Sequence, residues 1–420
     1  LSTALDIPLR KEYLPLAASF TELSAKIYGG GAQVEYSLAL AAEEIFVSLC
    51  ELPLEDEALR LETRDGRYFV ELRLTFRAGK LGLGAFNLTS APKLNNSASL
   101  KGMGLYLAAR SVDALRLALH DDRTVSLAVV KEKEYPKTSG APNCPTVKGT
   151  ARVKAPGSEE VKLFAAMAAG HFEASAIPDF LHYPGKTADM VIEGDLRTAL
   201  VVCENGAIAG GVMWRNAGVK TIEMIGPFVF PAEHETQTFD ELIEHCISQV
   251  ARTPAAGIFR RLGPAPLPKR HFDVLGSTTG STFYYRHLSD DEGSTVYCDP
   301  AAEAFLRAEY DRLVMPREIR VVRNFGEKME ERSALSCEFA TASSQVTLRA
   351  LCAGSDATEV VAAHVAHLKS QGIRNLFFEM DLAHAWESGF TPALLAAGIV
   401  PAVLIPNGGD GDLLIFWKAV

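Results

Sequence analysis

The chain has 420 residues, 48% hydrophobic and 22% charged, with a formal net charge of −10. That length exceeds one ordinary domain, and the composition supports a packed core throughout, which excludes a wholly disordered chain. The acidic balance disfavours nucleic acid and anionic lipid, and no apolar run is long enough to span a bilayer. No basic-apolar-small leader opens the chain, whose first residue, Leu1 rather than Met, leaves the native start open. The expectation is a cytoplasmic protein with no nucleic-acid and no membrane partner. Its seven scattered cysteines, none in CxxC spacing, fit reduced thiols.

In chain order, Pro8 lies in an extended lead-in and a helix runs from about Pro15 to Tyr28, stopped by Gly29, Gly30 and Gly31. A second helix covers Gln33 to Glu51. Alternating residues predict strands at Leu59–Thr63 and Tyr68–Phe76. A polar loop, Asn87 to Lys101, precedes a helix from Gly104 to Leu115 and a strand from Thr124 to Val130. The Pro- and Gly-rich stretch from Glu134 to Glu160 reads as a linker. Beyond it come a helix at Val161–Phe172, strands at Thr198–Cys203, Ile208–Trp214 and Lys220–Phe230, and an amphipathic helix at Thr238–Arg252. A strand at Gly257–Leu262, a short helix before Gly276 and a strand at Ser281–Leu288 follow. The tail repeats that ending, with a helix at Ala357–Gln371, a strand at Asn375–Glu379, a helix at Pro392–Ala397, Gly398, and strands at Ala402–Ile405 and Leu413–Trp417. The domains expected are 1–135, a linker over 136–158, 159–300, and 301–420.

Glu44 and Ser48 stand four apart on the second helix and share a face. Lys80-Leu81-Gly82-Leu83-Gly84 follows the second strand, and Lys101-Gly102-Met103-Gly104 enters a helix after the polar loop. Glycines there let backbone N–H groups approach a phosphate at a helix N-terminus. This order, over about residues 5–133, resembles the GHKL ATPase superfamily in its anti-sigma-factor serine kinase branch. The resemblance implies an α/β sandwich that binds ATP and Mg²⁺. Glu44 would be the general base, Ser48 would take the place of the metal-holding Asn, and Lys80 that of the adenine-binding Asp. Gly82, Gly84, Gly102 and Gly104 would line the nucleotide loops. A Lys ammonium has only donors and cannot accept from the adenine amino group, and a Ser hydroxyl is a poorer Mg²⁺ ligand than an amide oxygen. These substitutions favour a degenerate nucleotide site over an active kinase. The partner implied is a sigma factor or an antagonist of one.

From Val161 to Leu288 the order of segments resembles the GNAT family of acyl-CoA-dependent N-acyltransferases. So do His271-Phe272-Asp273-Val274-Leu275-Gly276 and Thr282-Phe283-Tyr284-Tyr285-Arg286. The resemblance implies acetyl-CoA as cofactor, its pyrophosphate held after the strand ending Val229-Phe230-Pro231, near His234, Gln237 and Thr238. His234 takes the place of the family's Arg/Gln, and Gln237 and Phe239 take those of two glycines. Phe272 falls where the family has its Tyr acid, so Tyr284 and Tyr285 are the alternative catalytic candidates. The tail is expected to be a second, partial GNAT-like half.

Glu379, Asp381, His384 and Trp386 are candidates to line a pocket in the tail. His364 and His367, spaced i, i+3, read as an ordinary helix face, and Asn407 to Asp412 reads as a hairpin turn. No metal site is expected. Three functions stay open at this point. One is a regulator with a degenerate anti-sigma-factor-kinase-like nucleotide site and GNAT-like modules that bind an acyl-CoA or another small-molecule effector. The second is an N-acetyltransferase with an atypical CoA loop. The third is a catalytically inactive scaffold.

Overall fold

The computed structural model describes residues 1–51, 54–78, 87, 108, 111–119, 124–138, 140, 142, 151–231, 235–278, 281–323, 331–340 and 344–420. The chain divides into two compact units, one made of Leu1–Glu134, Lys328–Glu338 and Leu348–Leu368, the other of Tyr135–Glu327, Phe339–Thr347 and Lys369–Val420.

In the first unit, β1 (Ser2–Pro8), β2 (Leu54–Asp65), β3 (Phe69–Ala78), β4 (Ala114–Leu119) and β5 (Thr124–Glu132) form an antiparallel sheet of order β1-β2-β3-β5-β4. Helices α1 (Leu14–Ile27) and α2 (Ala32–Cys50) bury an apolar stripe against it. Leu38, Ala42, Ile45, Phe46 and Leu49 of α2 recur at helical spacing and share one core with Leu61, Leu72, Leu74 and Leu127 of the strands. The lead-in around Pro8 is thus a strand. It tolerates the proline because β1 is an edge strand. The helix expected from Gly104 to Leu115 gives way at Ala114, where β4 begins. Most of the preceding residues lie outside the described ones. Asn87, the first residue of the polar loop, is buried. Its amide donates to the Ser333 carbonyl at 2.7 Å and accepts from Leu335 N–H at 2.8 Å.

The second unit holds a seven-stranded mixed sheet. Its members are β6 (Ala151–Lys154), β7 (Arg197–Cys203), β8 (Ile208–Asn216), β9 (Thr221–Val229), β10 (Gly257–Arg260), β11 (Asp273–Thr278) and β12 (Ser281–His287), in the order β6-β7-β8-β9-β10-β12-β11. Every neighbouring pair is antiparallel except β9 and β10, which run parallel at the centre. Parallel neighbours need a crossover connection, and helix α5 (Glu235–Val250) supplies it. Two earlier helices, α3 (Ser158–His171) and α4 (Pro184–Glu193), connect β6 to β7. Thr238, Leu242, Ile243, Cys246 and Val250 form the buried stripe of α5, and the last four pack in one core with Val201, Val212, Met224 and Ile258 of the sheet. Strand β6 lies inside the stretch read as linker, because four residues between prolines and glycines carry too short a period to register.

Helix α6 (Pro300–Leu313) and the parallel pair β13 (Ser294–Cys298) and β14 (Arg317–Val321) follow. The helix escaped the reading although Asp299 caps it, accepting from Ala301 N–H at 2.8 Å, and Pro300 opens it. Past β15 (Ala334–Ala340), β16 (Gln345–Cys352) and α7 (Ala357–Ser370), the tail runs through β17 (Asn375–Asp381), helix α8 (Thr391–Ala396), β18 (Val400–Ile405) and β19 (Leu413–Ala419). β19 lies between β17 and β18, antiparallel to both, just as β12 lies between β10 and β11. Residues 407–412 join β18 to β19 as the expected hairpin.

The chain is therefore α/β with several sheets. Among the described residues, no helix is long and apolar enough to cross a membrane.

Candidate functional site

The C-terminal end of β10 carries two arginines. In a strand, alternate side chains share a face, so Arg260 joins Ile258 on the side packed by α5, whereas Phe259 points the other way. Across the antiparallel ladder Arg260 is paired with Tyr284 of β12, and its guanidinium lies over the Tyr284 ring, 4.7 Å from the centroid. The chain then turns through Gly263, Pro264, Ala265 and Pro266. Arg260 Nη1 donates to the Ala265 carbonyl at 2.6 Å and to the Gly226 carbonyl at 3.4 Å. Gly263 is required there, because a Cβ would stand 2.6 Å from Nη1. Gly226 N–H donates back to the Leu262 carbonyl at 3.0 Å, so β9 and β10 stay tied where the ladder ends.

These groups enclose a pocket of about 230 Å³. Its polar lining among the described residues is Arg260, Arg261, Tyr284, Ser175, Ser281 and Thr282, none of them a carboxylate. Arg260 is 3% exposed, and its Nε is buried without a hydrogen-bond acceptor among the described residues. Burial pushes its pKa down to about 10, with the Tyr284 hydroxyl opposing that fall, so the guanidinium stays charged at neutral pH. Arg261 donates through Nη2 to Gln345 at 3.1 Å and lies over the Phe377 ring at 4.6 Å. Neither arginine has a carboxylate partner among the described residues.

The two tyrosine candidates part company. Tyr284 lines the pocket. Tyr285 points to the opposite face, fully buried, against Gly257, where a Cβ would meet its hydroxyl at 2.1 Å. Burial raises the Tyr285 pKa, with Asp412 and Asp291 adding to the rise. Phe272 is a core residue beside Tyr284. Of the residues named for a CoA loop, Val229 ends β9 half-buried and Thr238 is buried in the α5 stripe. Gln237 is exposed, its amide donating to Glu241 at 2.8 Å, and His234 lies outside the described residues.

In the first unit, Glu44 is half-buried on α2 and Ser48 spends its hydroxyl proton on the Glu44 carbonyl at 2.8 Å. Lys80, Gly82, Gly84, Gly102 and Gly104 lie outside the described residues. On α7, His364 is fully buried. Its Nδ1 pairs with the Val360 carbonyl at 2.8 Å, and burial pulls its pKa down to about 4. In the tail, ligand atoms of Asp381, His384 and Asp410 lie within 4.8 Å of one another. Asp381 already accepts from the N–H groups of Ala383, Asp410 and Gly411, so it chiefly fastens the two loops.

Sequence reasoning missed Arg260. Its signal was present: an apolar strand ending in two arginines before a Gly-Pro turn, Ile258-Phe259-Arg260-Arg261-Leu262-Gly263-Pro264.

No protein-family model matches the chain, and no curated protein matches it. Its neighbours among solved structures, over part of the chain, are GNAT-family N-acetyltransferases. A GNAT-family N-acetyltransferase from Escherichia coli in complex with CoA is 15% identical, over 36% of this chain and 87% of that one, with a TM-score of 0.28. A GNAT-family acetyltransferase from Staphylococcus aureus is 12% identical, over 33% of this chain and 100% of that one, with a TM-score of 0.26. The N-acetylglutamate synthase of Neisseria gonorrhoeae, complexed with coenzyme A and L-arginine, is 11% identical, over 48% of each chain, with a TM-score of 0.25.

Proposed function

We propose that the seven-stranded module is an acyl-CoA-dependent N-acyltransferase whose acceptor enters the Arg260 pocket. The observation that carries this reading is the placement of the pocket beyond the carboxyl end of β10, where it leaves its parallel neighbour β9 at the centre of an otherwise antiparallel sheet. In open α/β sheets the crevice outside the carboxyl ends of parallel strands is where ligands bind. The 16-residue helix α5 follows β9, and the positive end of a helix favours the phosphates of such a cofactor. In the reaction the acceptor nitrogen bonds to the acyl carbon, the carbon–sulfur bond breaks, and the proton lost by the amine passes to the departing thiolate. Tyr284 is the pocket hydroxyl that serves as the acid in this step.

The test is thiol release from acetyl-CoA with a panel of small amines, alongside calorimetric titration of acetyl-CoA. Tyr284→Phe is expected to lower turnover by about a hundredfold or more with the melting temperature preserved, since proton transfer by a placed side chain contributes about 10²–10⁴. Tyr285→Phe, on the far face, is expected to leave turnover unchanged. Absence of acetyl-CoA binding by the folded protein would sink the reading.

A further inference from the structure

We infer that the molecule held in the Arg260 pocket carries a carboxylate, which supplies the counter-charge of the buried Arg260 guanidinium. This rests on the reading above only in calling that molecule the acyl acceptor.

A buried guanidinium is normally matched by an acid, because an unpaired charge in a low-dielectric interior is costly. Arg260 is 3% exposed, and its hydrogen bonds to described residues all leave from Nη1, to the Gly226 and Ala265 carbonyls. Those two carbonyls use both Nη1 protons. They hold the plane of the group but carry no charge to neutralise it. The edge formed by Nε and Nη2 is left, with Nε buried and without an acceptor among the described residues. Two parallel N–H donors on one edge fit the two oxygens of a carboxylate, the bidentate geometry that distinguishes Arg from Lys.

The rest of the wall agrees with an anion. Arg261 adds a second positive charge, held by Gln345 and by the rings of Phe283 and Phe377. Ser175, Ser281 and Thr282 add hydroxyl groups, which can donate to an oxyanion, and no acidic side chain is among the described lining residues. At about 230 Å³ the pocket has room for a small molecule or for the end of a larger one.

The deciding experiment titrates the full chain with α-amino acids, each paired with its own carboxamide, with and without CoA, and with inorganic phosphate as a separate arm. The carboxylate member of at least one pair is expected to bind about ten- to a hundredfold tighter than its amide, the range for a hydrogen-bonded charge. Arg260→Gln is expected to erase that preference and Arg261→Gln to reduce it only in part. Equal affinity for acid and amide in the unaltered protein, or no binding of any carboxylate in either condition, overturns the inference without any variant having to fold. So does tighter binding of phosphate than of every carboxylate, or a preference that depends on Arg261 alone. A carboxylate preference without acetyl-CoA binding would leave this inference standing and remove acyl transfer. Acetyl-CoA turnover with no such preference would do the reverse.

Discussion

Arg260 and Arg317 lie in the same unit, both shut away from water, in opposite surroundings. Arg317, at the start of β14, is gripped by two acids. Its Nε and Nη2 donate to Asp412 at 2.6 and 3.2 Å, and its Nη1 and Nη2 donate to Asp291 at 2.8 and 2.7 Å. Burial opposes its charge, and the hydrogen bonds it donates to Asp291 and Asp412 outweigh that and raise its pKa. Arg260 receives two neutral carbonyls, and burial brings its pKa down. The first cation is complete within the chain and acts as a structural clamp. The second lines a pocket and has no counter-charge among the described residues, which marks a place where a ligand supplies what the fold omits. A buried charge is thus informative through its partners, not through its burial.

The sharpest way to break this contrast is to remove the clamp. Arg317→Met leaves Asp291 and Asp412 without their cation, and Asp412 is fully buried. A loss of about 3–5 kcal/mol in urea unfolding is expected, as for other buried pairs that lose one partner. A loss below 1 kcal/mol, roughly the worth of an exposed pair, would show that the clamp does not hold the unit together.

Glu387 extends the comparison to an acid. Burial pushes its pKa up to about 8; the Asp381 N–H that it accepts opposes the rise, and the charges of Asp381 and Asp410 add to it. The folded state therefore binds this proton more tightly than the unfolded chain does. Its contribution is whole below the ordinary carboxylate range and is lost as pH climbs toward about 8. Stability is expected to fall by roughly 5 kcal/mol across that window, and Glu387→Gln to flatten the slope. A pH–stability profile identical in the two proteins would refute the assignment.

The smallest effect is expected at Arg260 itself. Arg260→Met costs the donors of two carbonyls but relieves an unpaired buried charge, so unfolding free energy should move by no more than about 1 kcal/mol. A drop of several kcal/mol would place Arg260 with Arg317 as a structural cation.

Much of the scaffold was legible because it rests on local periodicity. The stripe of α2 and that of α5 repeat at helical spacing, and the glycines after Tyr28 and before Ile399 end their helices in positive φ. The pairing of β18 with β19 followed from a Gly-rich turn between apolar runs. Elements with little internal pattern were not legible. β6 is four residues long and pairs with β7 alone in the sheet, and the helix expected over Gly104–Leu115 overlaps the first two residues of β4, whose register is imposed by β5.

The site divides the same way. By itself the sequence determined an α/β chain, the succession of β9, α5 and β10, and Tyr284 and Tyr285 as candidates. A run of a few residues already carries the hydrophobic period that folds it. Which tyrosine faces the pocket was decided by the register of β12 on β10, since a one-residue step reverses the side of the sheet. That Arg317 meets Asp291 and Asp412 while Arg260 meets only carbonyls depended on groups from distant parts of the chain converging on each. Local sequence cannot encode such convergence, because electrostatic partnership acts through space and only packing of the whole unit sets the distances.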